Sequence, residues 1–340
     1  MIYHITCNTD TNYAQHCAAM LCSLFENNRD INCCVHILTN NLESDIQTYF
    51  IKLAQKYGNE IIFHIVDEHQ LQDLQYREKR PLTKAAYYRI LLPTILSLDI
   101  EKVLYLDCDM IVLQSIKELF DIDLNLYALA ATTDSSPYSD IHRRQLGFDL
   151  NTTAFCSGIM MINLKYWREH NAQDKLIKFS KEKRTPVYLH DQDALNHVFR
   201  NNWFVLPPKY NHTSMSITPL SRFEYDNLEY AFNPIVWHYS SDLKPWFNIP
   251  FPGKSNYIKY LKLSEFPNYK FINKEFKFRV SSYYKIARYY ISRYLYPVTP
   301  NVLKLLAHDI YMIIKTLGVL LITPSKFNRF LVSEWGKRRE

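Results

Sequence analysis

Two aspartates one residue apart, Asp107 and Asp109, interrupt an apolar run from Lys102 to Leu113. Val103 to Leu106 are β-formers and read as a buried strand. An unpaired buried carboxylate is costly, so two of them at the end of such a strand need a partner. A hard divalent cation is one such partner, because it takes oxygen ligands and offsets both charges. One intervening residue puts both side chains on the same side of an extended chain. The alternative is a strand end with two solvated acids. Further groups able to do chemistry stand at Asp10, in His190-Asp191-Gln192-Asp193, and in Trp237-His238-Tyr239 ahead of Lys244-Pro245-Trp246. His238 is a strand-end imidazole and a candidate third metal ligand; the alternative is a satisfied structural histidine.

Positioning these groups is the task of alternating strands and helices. Residues 1–7 read as a strand, 13–25 as a helix, 34–38 as a strand, 42–57 as a helix and 60–66 as a strand. Residues 83–91 read as helical, 103–106 as the fourth strand, 115–119 as a short helix and 127–132 as a strand. A polar loop or lid spans 137–151, followed by a strand over 155–163 and a helix over 167–181. A helix opens at His190 and runs to Phe199, where Asp191 or Asp193 complements its dipole. Strands at 203–206 and 235–239 complete the set. The alternation predicts an α/β sheet with helices on both faces. Ligands of such sheets bind at the carboxyl ends of strands, and Asp10, Asp107 and Asp109 all lie just past one.

Composition narrows the chemistry. The 340 residues contain only six glycines, and neither G-x-G-x-x-G nor a Walker A loop can be written from them. A bound nucleotide would therefore need its phosphates held another way, with a metal as the obvious route. The seven cysteines form no CxxC pair, which suggests neither a disulfide framework nor a zinc knuckle and fits a reducing cytosol. The first residues lack the basic and apolar regions of a signal peptide. Charge is unevenly spread: from Lys254 onward 17 Lys+Arg face 5 Asp+Glu, whereas the whole chain carries only +6. Within that basic tail, 278–296 interleaves tyrosines with Arg and Lys, and 302–322 is apolar but carries Lys304, His308, Asp309 and Lys315. This is too polar for a confident membrane span and reads best as amphipathic helices for a membrane interface. A helical subdomain packed on the core and a nucleic-acid arm are the alternatives, and the tail lacks the low complexity typical of the latter.

Taken together these motifs resemble the family 8 glycosyltransferases, the group of bacterial lipopolysaccharide galactosyl- and glucosyltransferases and glycogenin. The resemblance covers roughly residues 2–246. It rests on Tyr105-Leu106-Asp107-x-Asp109-x-Ile111-Val112, on Ser157-Gly158-Ile159-Met160-Met161-Ile162-Asn163-Leu164 with Trp167, on Asp191-Gln192-Asp193-Ala194-Leu195-Asn196, and on His238-Tyr239 followed by Lys244-Pro245-Trp246. The tail also looks like the extension of the lipopolysaccharide branch. What the resemblance implies is a GT-A type, Rossmann-like mixed sheet over residues 1–250, with a basic, aromatic helical extension over 251–340 that associates with membranes. It also implies a retaining, metal-dependent transfer of glucose or galactose from UDP-glucose or UDP-galactose.

The resemblance assigns roles residue by residue. Asp107, Asp109 and His238 match the ligands of Mn²⁺ (or Mg²⁺), and Lys244 matches the lysine that reaches the diphosphate. Asp10, Asn12 and Tyr13 match uracil and ribose contacts, and Arg89 an arginine near the donor sugar; the alternative for Arg89 is a surface ion pair. Asp191 matches the carboxylate holding the sugar hydroxyls, and Gln192 the amide near the anomeric carbon. Cys156 and Ser157 stand where the galactosyltransferase branch has Asn-Ala, and Ser241 stands where a glycine is usual, so donor identity stays open. Asp134 is placed for an acceptor contact. The implied acceptor is lipopolysaccharide or another cell-surface glycan, lipid-linked, met at the inner face of the cytoplasmic membrane, with no nucleic-acid partner. Protein glycosylation, an inactive nucleotide-sugar-binding homologue, and a metal-dependent phosphohydrolase or nuclease are the alternatives.

Overall fold

The computed structural model describes residues 2–74, 84–134, 140–149, 152–182, 189–213, 233–240, 243–273 and 283. Ser241 lies outside these residues, as do the tail stretches 278–296 (Tyr283 aside) and 302–322.

Seven strands form one mixed sheet. They are β1 (Ile2–Asn8), β2 (Asn32–Thr39), β3 (Glu60–Ile65), β4 (Lys102–Leu106), β6 (Leu129–Thr133), β7 (Phe155–Asn163) and β8 (Trp203–Leu206), in the order β3-β2-β1-β4-β7-β6-β8. All run parallel except β7, which is antiparallel to both β4 and β6. A second, three-stranded sheet holds β5 (Met110–Val112), β10 (Val236–His238) and β9 (His212–Thr213), with β10 antiparallel to β5 and parallel to β9. The chain leaves β1 outward to β2 and β3, then returns to β4 on the other side of β1. Strands β1 and β4 therefore flank a topological switch point, where an α/β sheet opens its ligand crevice.

Helices cover both faces. Helix α1 (Ala14–Glu26) is almost wholly buried, and α2 (Ser44–Lys56) adds Phe50, Leu53 and Ala54 to the same core. On the other face lie α3 (Leu92–Ile95), α5 (Leu164–Glu169), α6 (Ala172–Lys181) and α7 (Asp191–Phe199), packed around Trp167, Leu176 and Phe199.

Local chemistry departs from the simplest reading in four places. Residues 84–91 form a 3₁₀ helix that passes into α3, whose first turn accepts Pro93 because a backbone N–H, which proline lacks, would find no partner within the helix there. Within the expected lid, residues 140–146 form a helix, α4 (Asp140–Leu146). Asp140 at its start and Arg143 and Arg144 in its last turn complement the dipole, and Gly147 at φ 71° ends it. The single helix expected over 167–181 is two, α5 and α6, broken where Asn171 takes a left-handed conformation at φ 49°. Finally, Asp107 to Asp109 are a turn rather than continuing strand, because the chain there leaves one sheet and enters the other.

The first part of the expected extension is packed. Helix α8 (Lys254–Leu263) lies against α1, burying Tyr257, Tyr260 and Leu261. His16 Nδ1 meets the Tyr257 hydroxyl at 2.7 Å, and Asn27 Nδ2 donates to the Tyr260 hydroxyl at 2.8 Å. Farther on, Ile272 N donates to Trp246 O at 2.9 Å.

Candidate active site

A cleft of about 230 Å³ opens at the switch point. Its wall includes Asp10 and Tyr13 beyond β1, Arg89 from the 3₁₀ helix, Asp107 and Asp109 beyond β4, Ser157 on β7, and Asp191 and Gln192 at the start of α7. Eight of the expected site residues are thus gathered from segments far apart in the chain.

The junction of the two sheets builds the metal-ligand set. Antiparallel pairing of β5 with β10 sets His238 opposite Met110, and Tyr239 N donates to Asp109 O at 2.9 Å. His238 Nε2 then lies 3.3 Å from Asp109 Oδ1 and 4.0 Å from Asp107 Oδ2. Asp107, Asp109 and His238 each bring one ligand atom into a cluster within 4.8 Å. His238 Nδ1 is engaged at 2.8 Å by Asn211 Oδ1, as an N–H donor would be, which leaves Nε2 to face the carboxylates. Asp109 Oδ1 is buried and accepts no hydrogen bond. Two carboxylates and an imidazole whose Nε2 faces them, all within 4.8 Å, fit a divalent cation with mixed oxygen and nitrogen preference.

Charge is balanced closely around this set. Lys244 Nζ donates to Asp109 Oδ2 at 2.6 Å and to Tyr239 O at 2.7 Å. Burial alone would raise the Asp109 pKa, but Lys244 and then His238 hold it well below the usual carboxylate range. Burial opposes a charge on His238, and the Asp109 carboxylate outweighs it, pushing the imidazole up to about 10. Gly158 makes the close approach feasible. A Cβ there would sit 2.5 Å from His238 Cε1 and 2.9 Å from Asp107 Oδ2.

Arg89 ties the two ends of the cleft together. It is buried, donating from Nη2 to Asp107 Oδ1 at 2.8 Å and from Nη1 to Ser157 O at 2.7 Å. Its Nε lies 3.2 Å from Asp191 Oδ2, and its guanidinium stacks 4.0 Å over the Tyr105 ring. The surface ion pair is therefore not its role. Asp191 Oδ2 is buried and accepts no hydrogen bond. Burial, only partly opposed by Arg89, pushes Asp191 up to about 6. Gln192 is held at both ends: Oε1 accepts from Ser157 N at 2.9 Å, and Nε2 donates to Asp134 Oδ2 at 2.8 Å. Asp134 thereby joins the site through Gln192.

The remaining residues divide. Asp10 Oδ1 accepts from Tyr13 N at 2.9 Å, fixing the turn that starts α1. Asn12 on that turn is exposed and does not line the cleft. Cys156 is half-buried, outside the cleft lining, and interacts with the His238 ring. Four residues carry roles that the sequence reading did not assign: Asn8, Tyr105, Gly158 and Asn211. Asn8 Nδ2 donates to Ala85 O at 2.9 Å and to the Tyr105 hydroxyl, which donates in turn to Asp107 Oδ1.

The sequence model described as Glycosyl transferase family 8 matches residues 4–250. The chain belongs to this family. Among curated relatives of this family 8 chain, General stress protein A of Bacillus subtilis is 31% identical over 280 residues, covering 78% of this chain and 94% of that protein. Lipopolysaccharide 1,2-glucosyltransferase of Escherichia coli is 27% identical over 265 residues, covering 76% and 77%. The galactosyltransferase LgtC, solved with donor and acceptor sugar analogues, superposes with a TM-score of 0.68 at 23% identity, covering 77% of this chain and 95% of that one. This likeness establishes the GT-A fold. The family 8 chain is thus a glycosyltransferase related to lipopolysaccharide glucosyl- and galactosyltransferases. Among the described residues no helix is long and apolar enough to cross a membrane.

Proposed function

We propose that this chain moves a hexose, glucose or galactose, from a UDP-sugar to a saccharide acceptor with retention of anomeric configuration, assisted by Mn²⁺ or Mg²⁺. The observation that carries the reading is the convergence of Asp107, Asp109 and buried His238 on one cluster, with the two aspartates lining the same cleft as Arg89 and Asp191. When bound, the cation supplies charge stabilisation for the departing diphosphate. Asp107, Asp109 and His238 would hold it. Lys244, already against Asp109, adds a cationic donor for the same phosphates. Asp10 and Tyr13 would frame the uridine, and Asp191, lining the cleft with its carboxylate beside Arg89, would accept from sugar hydroxyls.

Retention is what the family resemblance implies, and the residue at the reacting face bears on its course. A retaining hydrolase puts a carboxylate nucleophile beneath the anomeric carbon. Here the matched residue is Gln192, a poor nucleophile, pinned by Ser157 and Asp134. Attack from the front face through an oxocarbenium-like ion pair is the course this supports, with the leaving phosphate taking the acceptor's proton. Asp134, bonded to Gln192, would stand on the acceptor side. The basic, tyrosine-rich sequence beyond residue 273 would bring the enzyme to an anionic membrane surface bearing a lipid-linked glycan, on the cytoplasmic side. The test is UDP release from a panel of UDP-sugars with Mn²⁺ and no acceptor. Slow release from one hexose donor, lost on adding EDTA, is expected. If nothing is released and calorimetry detects no UDP binding with Mn²⁺, the reading fails.

A further inference from the structure

A second group of metal-ligating side chains stands on one face of the sheet, away from the cleft. The parallel register sets His4 beside Cys34 and Cys34 beside Glu60. Alternation along β2 then places His36 on the same face as Cys34. His4 Nδ1 lies 3.1 Å from His36 Nε2, and Cys34 Sγ lies 3.7 Å from that same nitrogen. The donor atoms of His4, Cys34 and His36 all fall within 4.8 Å of one another. On its other side, His36 Nδ1 is 3.0 Å from His64 Nε2.

A chain of neutral imidazoles explains only part of this. One ring nitrogen serves one hydrogen-bond partner in its plane, yet an imidazole and a thiol both converge on His36 Nε2. Tetrahedral zinc, with bonds of about 2.0–2.1 Å to nitrogen and about 2.3 Å to sulfur, sets neighbouring donors roughly 3.3–3.6 Å apart. The observed separations straddle that range. His64 holds the far nitrogen of His36, the arrangement that fixes a ligating tautomer. We propose that His4, Cys34 and His36 form a zinc site, with His64 orienting His36, that braces strands β1, β2 and β3.

Other features agree. Burial lowers the pKa of His4 and His64 and takes His36 down to about 4, which keeps the rings neutral, whereas it pushes the Cys34 thiol up to about 11, so the cation itself would have to displace that proton. Helices α1 and α2 cover the opposite face, whereas Ile62, in register with His36, is 37% exposed and leaves a path to solvent. His4 precedes Asn8 of the cleft by four strand residues, about 13 Å. The donor sets also differ: two nitrogens and a sulfur favour zinc, whereas the carboxylate-rich cleft suits manganese or magnesium.

Cobalt(II) titrated into the full chain is the probe, read by absorbance. The expected result is a near-ultraviolet thiolate-to-cobalt band that saturates at one ion per chain, is displaced by Zn²⁺ and is indifferent to excess Mn²⁺. Cys34→Ser should abolish the band, and His4→Gln should weaken Co²⁺ binding by at least about tenfold. Cys108→Ser should leave the band intact, because it disrupts instead the buried Cys7, Cys17 and Cys108 group. Absence of the band in the unmodified chain, its persistence in Cys34→Ser, or its loss in Cys108→Ser overturns the proposal. Should Cys34→Ser fail to fold, unchanged affinity in His4→Gln overturns it equally.

Discussion

Asn211 accepts from His238 across the second sheet, at 2.8 Å between Oδ1 and Nδ1, and thereby decides which imidazole nitrogen faces Asp107 and Asp109. The Asn211 side chain is itself steadied, donating from Nδ2 to Thr132 Oγ1 at 2.9 Å. Removing a partner of this kind costs about 10–100-fold in metal affinity or activity. Asn211→Ala should raise the Mn²⁺ concentration for half-maximal UDP release by that factor while leaving saturating activity largely intact. An unchanged Mn²⁺ requirement would show that His238 is not oriented by Asn211.

Asp109 bears more directly on the reaction. It meets Lys244 through Oδ2 and turns its buried Oδ1 toward His238 Nε2 at 3.3 Å. Asp109→Ala should lower metal-dependent turnover by at least about 10²-fold, the scale for loss of one charge-stabilising group. Circular dichroism should still report a folded chain, since the residue sits in a turn at the junction of the sheets. Retention of full Mn²⁺-dependent activity would refute a ligand role for Asp109.

Gly158 offers a test of geometry alone. The methyl of Gly158→Ala would meet His238 Cε1 at 2.5 Å and Asp107 Oδ2 at 2.9 Å, both closer than side-chain contacts tolerate. Both residues are fixed by other partners, so one must shift. A stability loss of about 1–3 kcal/mol in denaturant titration should accompany a larger loss of activity. A variant that keeps wild-type stability and activity would mean that the junction is looser than these distances imply.

The pH dependence should follow Asp191. Its pKa is raised to about 6 by burial, with Arg89 opposing the rise only partly. Above that pH the carboxylate is ionised and can accept from sugar hydroxyls; below it the group is protonated. kcat/KM for the donor should therefore fall as pH drops through about 6, and Asp191→Asn should show a lower, flatter profile over the same range. The stability sign is opposite: a raised carboxylate pKa favours the folded state most below the unfolded value and loses that contribution as pH rises through 6. A profile with its acid limb near 4 would remove Asp191 from the pH-sensitive step.

Much of this site was legible because strand ends carry it. Asp107 and Asp109 follow an unmistakable β run, and Asp191 and Gln192 open a helix with acidic residues in its first turn. The antiparallel direction of β7 was not legible, since an apolar run encodes burial but not orientation. Neither Asn211 nor Gly158 could be assigned a role, because each acts through the register of strands distant in the chain. His238 was legible as a strand-end imidazole, but its meeting with the two aspartates depends on the pairing with Met110. For Arg89 a surface ion pair stayed open as the alternative, because nothing in the sequence shows its burial between two carboxylates.

The tail can be separated from the body at a defined point. Helix α8 is held to α1 by Tyr257 and Tyr260, and Lys270 N donates to Gln15 Oε1 at 3.0 Å. A cut after residue 276 leaves these contacts whole while removing the basic, tyrosine-rich sequence from Lys277 to Glu340. If that sequence serves the membrane surface through charge and aromatic insertion, each Lys or Arg near anionic lipid contributes about 1 kcal/mol, weakened by salt. Sedimentation with anionic vesicles should therefore pull down the full chain at low salt and leave the truncated one in solution. The truncated enzyme should still release UDP from its donor, because every residue of the cleft is retained. Insolubility of the truncated chain would instead assign the tail to the core, as a cover for apolar surface rather than an anchor.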